Sequence, residues 1–500
     1  MKLSELLSPW FSTPISNGDI SGLHNDSRQI KPGYLFIAYP GAVTDGRLYI
    51  QQAVQLGAAA IVYDPEQLPT SVQLPTIPCI PLPQLSSLLA AIANRFYENP
   101  SSGMSITGVT GTNGKTTIAY QLAQAYGLLD TPATYIGTIG QGDVHHLKPL
   151  MNTTPDALCL QQLLHDYKQE GIKQVCMEVS SHALSEHRVD SIDFSQAIFT
   201  NLSHEHLDYH HTMDAYADAK AMLFAMPMLK WMILNHDDPY AIRMSSIHSK
   251  ECQKLTYGLQ PGCDVRAIHC QYSMRGSEFE VTSPWGTRQV RVKSIGAFNI
   301  YNSLAVYSSL LAQGYAIDDV VSVMAQLNPS PGRMEVVSQQ PYVLVDYAHT
   351  PDALENVLTT LVRLKSQDTL LKRIWVIFGC GGDRDATKRP IMGRIASQFA
   401  DFVIISSDNP RTEEPSQIVD DIARGLLPDT NVTTILDRKE AIHYVLNHAD
   451  KQDIILIAGK GHEAYQQIGR ERFAFSDQGV VNRYKQSMKQ TKYHSGENDA

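Results

Sequence analysis

The chain has 500 residues, with 41 lysines and arginines against 51 aspartates and glutamates, and a formal net charge of −10. This acidic balance argues against a general nucleic-acid binder, which normally carries a basic excess. The length exceeds what one hydrophobic core supports, so several domains are expected.

Cysteine usage and the lack of targeting signals indicate the compartment. The seven cysteines are scattered and form no CxxC pair, which favours reduced thiols over a disulfide framework or a zinc site. The first residues, MKLSELLSPW, are too short and too polar for a signal peptide. No apolar run approaches the ~18 residues that would span a bilayer. We therefore predict a soluble cytoplasmic protein without membrane insertion.

The first two thirds of the chain predict strands alternating with helices. A first unit ends in the proline-rich stretch 75–83, and a helix, the strand SITGVTG and a helix from Lys115 follow. Further strand-like runs are QVCMEVS, QAIFTNL and WMILNHD. Such alternation is typical of a mostly parallel sheet covered by helices. Period-2 runs between 254 and 296 predict a small antiparallel insert or edge of the sheet, after which NIYNSLAVYSSLLAQG restores a helix.

A second alternation begins after Gly332. Its apolar runs are YVLVDYA, RIWVIFGCGG, FVIISSD, VTTILD and DIILIAG. They predict a doubly wound sheet of its own. We predict an α/β protein with three domains: a smaller N-terminal α/β domain (1–86), a central phosphate-loop domain (87–331) and a C-terminal Rossmann-like domain (332–488). A polar, frayed tail (489–500) would follow.

The stretch GVTGTNGKTT, 108–117, lies between a predicted strand and a predicted helix. Its glycines let backbone N–H groups face a phosphate, Lys115 reaches the terminal phosphates and the Thr116 hydroxyl suits magnesium. The strict GxxxxGK[ST] pattern fails at Val109, so a glycine-rich strand–helix turn is the alternative. We predict nucleotide binding by Gly111, Thr112, Asn113, Gly114, Lys115, Thr116 and Thr117.

Acidic, histidine and lysine side chains follow the next strands. Glu178 ends a predicted strand, where a carboxylate suits the metal of a bound nucleotide. The run FTNLSHEHLDYHH fails the HExxH zinc pattern at Asp208, and its histidines are either functional or polar loop residues. Lys220 has no acid at helical spacing. It is therefore either a surface lysine or a desolvated amine with a lowered pKa.

The segment DNPRTEEP, 408–415, has strong turn chemistry and one arginine, Arg411. On its own it predicts a solvated turn whose arginine pairs with Glu413 or Glu414. The alternative is that Arg411 binds an anionic ligand.

Together, TGTNGKTT, MEVSSHALSEHRVD, FTNLSHEHLDYH, the Lys220 helix, GAFNIYN, GRME, DYAHTPDAL and GKGHE resemble the Mur ligases over nearly the whole chain. The resemblance implies an ATP-dependent ligase acting on UDP-MurNAc-L-Ala-D-Glu, with a carboxylate activated as an acyl phosphate. It assigns Lys115, Glu178, His206 and Lys220 to catalysis. Mg²⁺ would be held by Thr116, Glu178, His206 and a carbamylated Lys220.

The resemblance also implies the nucleotide-sugar contacts, which are Ser27, Asn152, Thr153, Thr154, Ser180, Glu186 and Arg188. The sequence departs from the family's usual pattern at Asn25, at residues 42–44 and at Glu186, where glutamine is expected. Thr154 followed by Pro155 also reads as a helix start, with Thr154 as its N-cap.

The remaining implied contacts lie toward the C-terminus. Asn299, Asn302, Arg333 and Asp346 would contact ATP, so that closure of the third domain over the second would be part of catalysis. In the family, DNPR marks members that add meso-diaminopimelate, whose second carboxylate suits a planar guanidinium. The implied amino-acid contacts are Arg384, Asp408, Asn409, Pro410, Arg411, Gly459 and Glu463.

Other functions remain open at this point. L-lysine is an alternative acceptor, and another Mur-type ligase or a folylpolyglutamate-type ligase is an alternative enzyme. A nucleotide-driven ATPase without an acceptor and a non-catalytic ATP-binding regulator would use the same loop. The expected partners are the nucleotide sugar and the amino acid, and a monomer is expected.

Overall fold

The computed structural model describes residues 1–12, 18–41, 44–246 and 251–495. The strands, in chain order, are β1 (Gly22–His24), β2 (Tyr34–Ala38), β3 (Ala60–Tyr63), β4 (Cys79–Pro81), β5 (Ser105–Thr110), β6 (Ala133–Gly137), β7 (Gly140–Gly142), β8 (Gln174–Glu178), β9 (Phe194–Phe199), β10 (Trp231–Asn235), β11 (Gln253–Gly258), β12 (Val265–Ser273), β13 (Gly276–Ser283), β14 (Gly286–Val292), β15 (Glu335–Gln339), β16 (Tyr342–Asp346), β17 (Ile374–Phe378), β18 (Phe402–Ile405), β19 (Val432–Thr434), β20 (Ile454–Ala458), β21 (Tyr465–Ile468) and β22 (Glu471–Ala474).

The α-helices are α1 (Leu3–Leu7), α2 (Ile50–Gln55), α3 (Leu85–Phe96), α4 (Lys115–Leu128), α5 (Ala157–Gln169), α6 (Ser181–Ser185), α7 (Leu207–His210), α8 (Met213–Ala221), α9 (Ala241–Ser245), α10 (Ala297–Ala312), α11 (Ile317–Met324), α12 (Pro351–Gln367), α13 (Lys388–Phe399), α14 (Pro415–Ala423), α15 (Arg438–His448) and α16 (Asp477–Ser495). Within the described ranges, no helix has the length and apolar character needed to cross a membrane.

The chain forms two compact units, of which the first comprises Met1–Arg266, Ser283–Gly286 and Leu304–Val323. Its N-terminal part holds the parallel sheet β1-β2-β3-β4. Strands β2 and β3 are apolar runs that are almost wholly buried, as expected for parallel strands covered on both faces. The predicted small α/β layer at the N-terminus is confirmed.

A larger sheet follows in the same unit, with the strand order β11-β10-β9-β5-β8-β6-β7. Strand β5 lies between β8 and β9 and is parallel to both. The loop after β5 therefore leaves the carboxyl edge of the sheet, where ligands bind in open α/β folds. The order of strands thus places the glycine-rich stretch, Glu178 and the histidine-rich run at one edge.

The predicted antiparallel insert over 254–296 is wrong at its start. Strand β11 pairs in parallel with β10, Leu255 opposite Ile233, and so extends the main sheet. Strands β12, β13 and β14 are joined by two-residue turns, the connection typical of antiparallel hairpins. Strand β11 lies inside the sheet, between β10 and β12, but its first two residues, Gln253 and Lys254, are exposed. Its sequence therefore lacks the continuous apolar run that is typical of a buried parallel strand.

The second unit comprises Ala267–Thr282, Thr287–Ser303 and Met324–Ala500. Its six-stranded sheet has the order β15-β16-β20-β17-β18-β19, parallel except at β15. Strand β17 alternates between two cores: Val376 and Phe378 face one cluster and Trp375 and Ile377 the other. The predicted doubly wound sheet is confirmed, because both of its faces are covered.

Two parts of the second unit differ from the sequence expectations. Strand β15 and the antiparallel hairpin β21–β22 were not predicted. Helix α16 runs to Ser495, into the stretch 489–500 for which a frayed tail was predicted, and residues 496–500 lie outside the described ranges. The domain boundaries at 86/87 and 331/332 stay predictions.

Candidate functional site

The loop between β5 and α4 has the backbone that its glycines predict. Gly111 has φ of +146° and Gly114 has φ of +90°, a region that L side chains rarely adopt. A Cβ at Gly111 would lie 1.8 Å from the Thr200 hydroxyl oxygen. Helix α4 begins at Lys115 directly after this loop. A strand, a tight loop and a helix N-terminus therefore form an anion site.

Two residues after β9 hold the loop in this shape. The backbone N–H of Thr112 donates to the Asn201 carbonyl at 2.8 Å, and that of Asn113 donates to the Asn201 side-chain oxygen at 3.0 Å. The Thr200 hydroxyl donates to the Asn113 carbonyl at 2.6 Å. Both residues lie within FTNLSHEHLDYH, and no role was predicted for them from the sequence. The sequence feature that could have identified Thr200 and Asn201 is their position directly after a predicted strand.

Two lysine amines converge on one carbonyl of the loop. Lys115 Nζ donates to the Gly111 carbonyl at 2.9 Å and to that of Thr112 at 2.8 Å. Lys220 Nζ donates to the same Gly111 carbonyl at 2.9 Å and lies 4.4 Å from the Tyr216 ring centre. Lys220 is 1% exposed, so the surface-lysine alternative is wrong. Burial, and then the Lys115 charge, hold the pKa of Lys220 well below its usual value.

The Glu178 carboxylate is fully buried at the end of β8. It accepts hydrogen bonds from the Thr116 hydroxyl at 3.0 Å and from the Tyr135 hydroxyl at 2.5 Å. The backbone N–H and the hydroxyl of Thr138 complete its partners at 2.8 and 3.2 Å. Glu178 and Thr116 are thus brought together as the sequence predicted, and Tyr135 and Thr138 were missed.

A cluster of aromatic and imidazole rings lies next to Lys220. His182 contacts His206, Tyr209 and His210 with ring centres 4.9, 4.2 and 5.5 Å apart, and His210 stacks on Tyr216 at 5.0 Å. The His210 Nε2 atom lies 2.9 Å from the Ser181 hydroxyl. Burial lowers the pKa of His182 and of His206, and lowers that of His210 to about 4.

The low pKa of His210 predicts an acid-dependent loss of stability. A histidine whose folded pKa is about 4 favours the folded state while neutral, above its ordinary pKa of about 6.5. This contribution is lost as the pH falls from 6.5 toward 4. We expect His210→Gln to flatten the decline in Tm over that window, whereas the exposed His145→Gln should leave it unchanged. Parallel curves for parent and His210→Gln would contradict the assignment.

No group of three histidine, cysteine, aspartate or glutamate side chains in the described ranges is arranged to hold a metal ion. The predicted ligands Glu178 and Thr116 are in contact, and Lys220 and His206 lie near the same loop through Tyr216 and Gly111. Oxygen ligands suit Mg²⁺. A carboxylate added to the buried Lys220 amine would supply one, so these residues fit a magnesium ion when Lys220 carries a carbamate.

The nucleotide-sugar candidates near the N-terminus are partly satisfied within the protein. Ser27 is buried and its hydroxyl donates to the Gln52 side chain at 2.8 Å. The Asn25 amide donates to the Tyr39 hydroxyl at 3.1 Å. Residues 42 and 43 of the departing loop lie outside the described ranges. Ser27 therefore contacts helix α2 through Gln52, a residue that the sequence did not predict to lie beside the nucleotide-sugar candidates.

Arg188 is anchored in the central part of the same unit. Its Nη1 donates to the Thr154 carbonyl at 2.9 Å, and its Nε donates to Glu186 at 2.9 Å. Glu186 thus pairs with Arg188. Ser180 caps α6 by accepting from the Ala183 N–H.

Helix α5 starts later than predicted. Asp156, and not Thr154, is its N-cap, because the Asp156 carboxylate accepts from the N–H groups of Leu158 and Cys159. The Thr154 hydroxyl instead donates to the Glu178 carbonyl at 2.8 Å. Thr153 shares a hydroxyl contact of 3.1 Å with Thr138, and Asn152 is exposed. Thr154 thereby connects the substrate candidates to the end of β8.

The candidates for the adenine and ATP side lie in the second unit. Asn302 donates to the Asn299 side chain at 2.9 Å, and Asn299 donates to the Ile295 carbonyl at 2.8 Å. The Arg333 guanidinium lies 4.7 Å from the Tyr347 ring centre. Asp346 accepts from the N–H groups of Met334 and Ala348, and burial raises its pKa. The asparagine pair thus lies at the start of α10.

Arg411 does not pair with the glutamates beside it. Its Nη1 donates to the Gly382 carbonyl at 2.6 Å, and its backbone is left-handed with φ of +52°. Glu413 pairs instead with the buried Arg389 at 2.8 Å. Among the described residues, no carboxylate lies within ion-pair distance of Arg411. The predicted pairing of Arg411 with Glu413 or Glu414 is therefore wrong, and the half-buried guanidinium keeps part of its surface open to solvent or to an anion.

The other amino-acid candidates surround the same strand ends. A Cβ at Gly381 would lie 2.8 Å from Arg411 Nη1 and 3.7 Å from Arg384 Cγ, so both arginines flank this glycine. A Cβ at Gly459 would lie 2.6 Å from an Asp408 carboxylate oxygen. The Asn409 amide donates to Glu463 at 2.9 Å. Pro410 is buried, with its carbonyl against Gly382.

The phosphate loop on a parallel sheet, followed by a doubly wound unit with its own polar edge, defines the class of phosphate-loop α/β proteins. Domain families match in chain order: "Mur ligase family, catalytic domain" over 19–97, "Mur ligase middle domain" over 109–310 and "Mur ligase, glutamate ligase domain" over 332–461. The chain belongs to the Mur ligase family.

Named relatives are similar over almost the full chain. A UDP-N-acetylmuramoyl-L-alanyl-D-glutamate–2,6-diaminopimelate ligase of Pseudomonas putida is 43% identical, covering 95% of this chain and 96% of the relative. The ligase of the same name from Chromobacterium violaceum is 41% identical, covering 92% of each. A solved structure of a ligase of that name aligns with a TM-score of 0.71 and 34% identity, covering 98% and 99%.

The fold is also shared with more distant structures. The MurF ligase of Thermotoga maritima in complex with ADP aligns with a TM-score of 0.63 and 18% identity, covering 88% of this chain and 94% of that chain. At this identity the likeness concerns the fold alone.

Proposed function

We propose that the protein joins meso-2,6-diaminopimelate to the D-glutamate of UDP-MurNAc-L-Ala-D-Glu, with ATP as the energy source, as a step of peptidoglycan precursor synthesis. The observation that carries the choice of acceptor is Arg411, a guanidinium with no carboxylate within ion-pair distance among the described residues, at the edge of the second unit's sheet. The relatives named as diaminopimelate ligases support the same choice.

The reaction first phosphorylates the carboxylate and then replaces the phosphate with the amine of the acceptor. An oxygen of the D-glutamate γ-carboxylate attacks the γ-phosphorus of ATP, and ADP leaves. The amine of the acceptor, having lost a proton, attacks the acyl carbon. The tetrahedral intermediate then expels phosphate and leaves an amide. Phosphorylation is needed because oxide is a very poor leaving group, and a site that gathers several anions needs cations to stabilise the transition state.

The β5–α4 loop supplies that stabilisation for the phosphates. Helix α4 begins at Lys115, whose amine lies against the carbonyls of Gly111 and Thr112 in the same loop. On binding ATP, the Lys115 amine would exchange its carbonyl partners at Gly111 and Thr112 for phosphate oxygens. Such a fixed array of dipoles and charge needs little reorganisation during the reaction.

We assign Mg²⁺ to Thr116, Glu178, His206 and a carbamate on Lys220. The buried, weakly basic amine of Lys220 suits reaction with CO₂, since only a neutral amine attacks it. The nitrogen forms a bond to the carbon, and a proton leaves. When bound, the metal would neutralise phosphate charge. His206, at the N-terminus of α7, presents an imidazole whose pKa is lowered by burial, so that it is neutral at physiological pH.

The nucleotide sugar is assigned to the first unit. Ser27, Asn152, Thr153, Thr154, Ser180, Glu186 and Arg188 are its candidate contacts. Arg188 is the cation among them, and its bond to the Thr154 carbonyl fixes its orientation. We place the reaction in the cytoplasm as a monomer, and the seven free cysteines support a reducing compartment.

An acceptor assay separates the proposed function from its alternatives. Phosphate release is measured with UDP-MurNAc-L-Ala-D-Glu and ATP, adding meso-diaminopimelate, L-lysine or no amino acid. We expect release to depend on diaminopimelate. Preference for lysine would indicate the other acceptor, and release that needs no amino acid would indicate an ATPase.

Replacement of Arg411 should impair diaminopimelate selectively. Loss of one partner of a buried charge pair costs about 2–5 kcal/mol, or roughly thirty- to several-thousand-fold in kcat/KM. Arg411→Lys should also be poor, since an ammonium cannot make two parallel hydrogen bonds to a carboxylate. The values of kcat/KM for diaminopimelate and lysine are compared in parent, Arg411→Ala and Arg411→Lys.

The matched control is Arg424→Ala, which removes an exposed arginine that pairs with Asp421. KM for ATP and for the nucleotide sugar should change little in the Arg411 variants. Equal losses of kcat/KM for both amino acids would show that Arg411 does not bind the distal carboxylate.

A further inference from the structure

Lys460 is the least exposed cation at the edge where the amino-acid candidates meet. It is 0% exposed, and its Nζ lies 2.9 Å from Glu463, 3.0 Å from the Asn409 side-chain oxygen and 3.7 Å from Asp408. It lies directly after Gly459, at the end of β20. No role was predicted for Lys460 from the sequence.

Asn409 connects this cation to the rest of the pocket. Its side-chain oxygen accepts from Lys460 Nζ and from the Gln467 backbone N–H at 2.9 Å, and its amide donates to Glu463. The side-chain amide thus has partners on both its oxygen and its nitrogen within the protein. Asn409 therefore connects three segments of the pocket.

Hairpin β21–β22 completes the same arrangement around Arg411. The Arg411 N–H donates to the Gln467 carbonyl at 3.1 Å, and the Gly469 N–H donates to the Arg411 carbonyl at 2.7 Å. Gln467 is therefore bonded to Asn409 and to Arg411 at once. Displacement of Asn409 would be transmitted to the backbone that carries the Arg411 guanidinium.

We propose that Lys460 is a positioning residue that sets the affinity and the selectivity of the amino-acid site, an inference that rests on the proposed function. One buried cation faces two carboxylates, those of Asp408 and Glu463, which leaves one negative charge for a substrate ammonium. On the other side of Asn409, Arg411 is held for a carboxylate. The geometry matches an amino-acid head group, which carries one charge of each sign.

The loss of Lys460 would disturb both halves of this site. The two carboxylates would repel each other without the cation between them, and a buried charge without its partner is strongly unfavourable. Glu463 and Asn409 would lose the atom that fixes both side chains. Recognition of the amino acid should therefore weaken, whereas binding of ATP to the loop of the first unit should change little.

The test compares Lys460→Met, which keeps the apolar stem, with the exposed Lys451→Met. We expect KM for diaminopimelate to rise at least about thirtyfold in Lys460→Met, with KM for ATP and for the nucleotide sugar within about twofold of the parent. Lys451→Met should match the parent in all three. Equal changes in all three KM values, or no change in a folded Lys460→Met, would overturn the proposal.

Two further variants distinguish positioning from a role in folding. In Lys460→Ala, methylammonium ions should restore part of kcat/KM for diaminopimelate, because a small cation can occupy the cavity. Lys460→Arg keeps the charge and should show a smaller rise in KM that remains specific to the amino acid. Absence of rescue together with a parent-like Lys460→Arg would contradict the proposal. A parent protein that fails to ligate diaminopimelate would instead refute the proposed function.

Discussion

Lys115→Met is expected to reduce ligation by about a thousandfold or more, which is the scale for removing a charge that stabilises a transferring phosphoryl group. The Lys115 amine lies at the start of α4, bonded to the Gly111 and Thr112 carbonyls. Methionine keeps an unbranched apolar side chain and removes the charge, so the loss should fall on kcat more than on KM for the nucleotide sugar.

The Lys115 result is read from single-turnover formation of ADP together with the Tm of each variant. Lys148→Met removes an exposed lysine in the same unit and should behave as the parent. A folded Lys115→Met protein with turnover near that of the parent would refute the assignment of the phosphate loop. Loss of Tm without loss of activity in the surviving protein would mean that the amine only closes the loop.

Local chemistry made much of the site predictable. The strand, glycines, lysine and threonines of 105–117 are contiguous, so their geometry follows from a few backbone angles. Strands β17 and β20 of the second unit are buried on both faces. Their sequences are therefore continuous apolar runs, which differ clearly from the alternating polar and apolar pattern of a half-exposed strand. The acceptor prediction from DNPR likewise rested on one short segment.

Contacts between distant segments were not predictable from the sequence. Asn201 and Thr200 support the phosphate loop from 88 and 87 residues away, and Lys460 meets Asn409 across 51 residues. Thr154 was assigned as a helix cap from its neighbours, yet its hydroxyl donates to the Glu178 carbonyl. Each of these depends on which strands are adjacent in the sheet, and strand order is not contained in any local pattern.

Lys220→Ala is expected to lose activity on the order of a hundred- to a thousandfold, since it would remove the group that we assign to carry a carboxylate beside the phosphate loop. The Lys220 amine is buried against Tyr216 and the Gly111 carbonyl. Burial, followed by the charge of Lys115, lowers its pKa, which increases the neutral fraction that reacts with CO₂. Carbamate formation should therefore increase as the pH rises through the pKa of this amine.

Short carboxylates give the sharpest measurement for Lys220. Acetate or propionate should restore part of the activity of Lys220→Ala, because either one can supply the missing oxygen ligands. Neither should affect Lys230→Ala, which removes an exposed lysine. After exchange with ¹³C-labelled bicarbonate, a carbamate signal should appear in the parent and be absent from Lys220→Ala. An active parent without that signal would refute the carbamate, and the buried Lys220 would then act through the hydrogen bond of its amine to the Gly111 carbonyl.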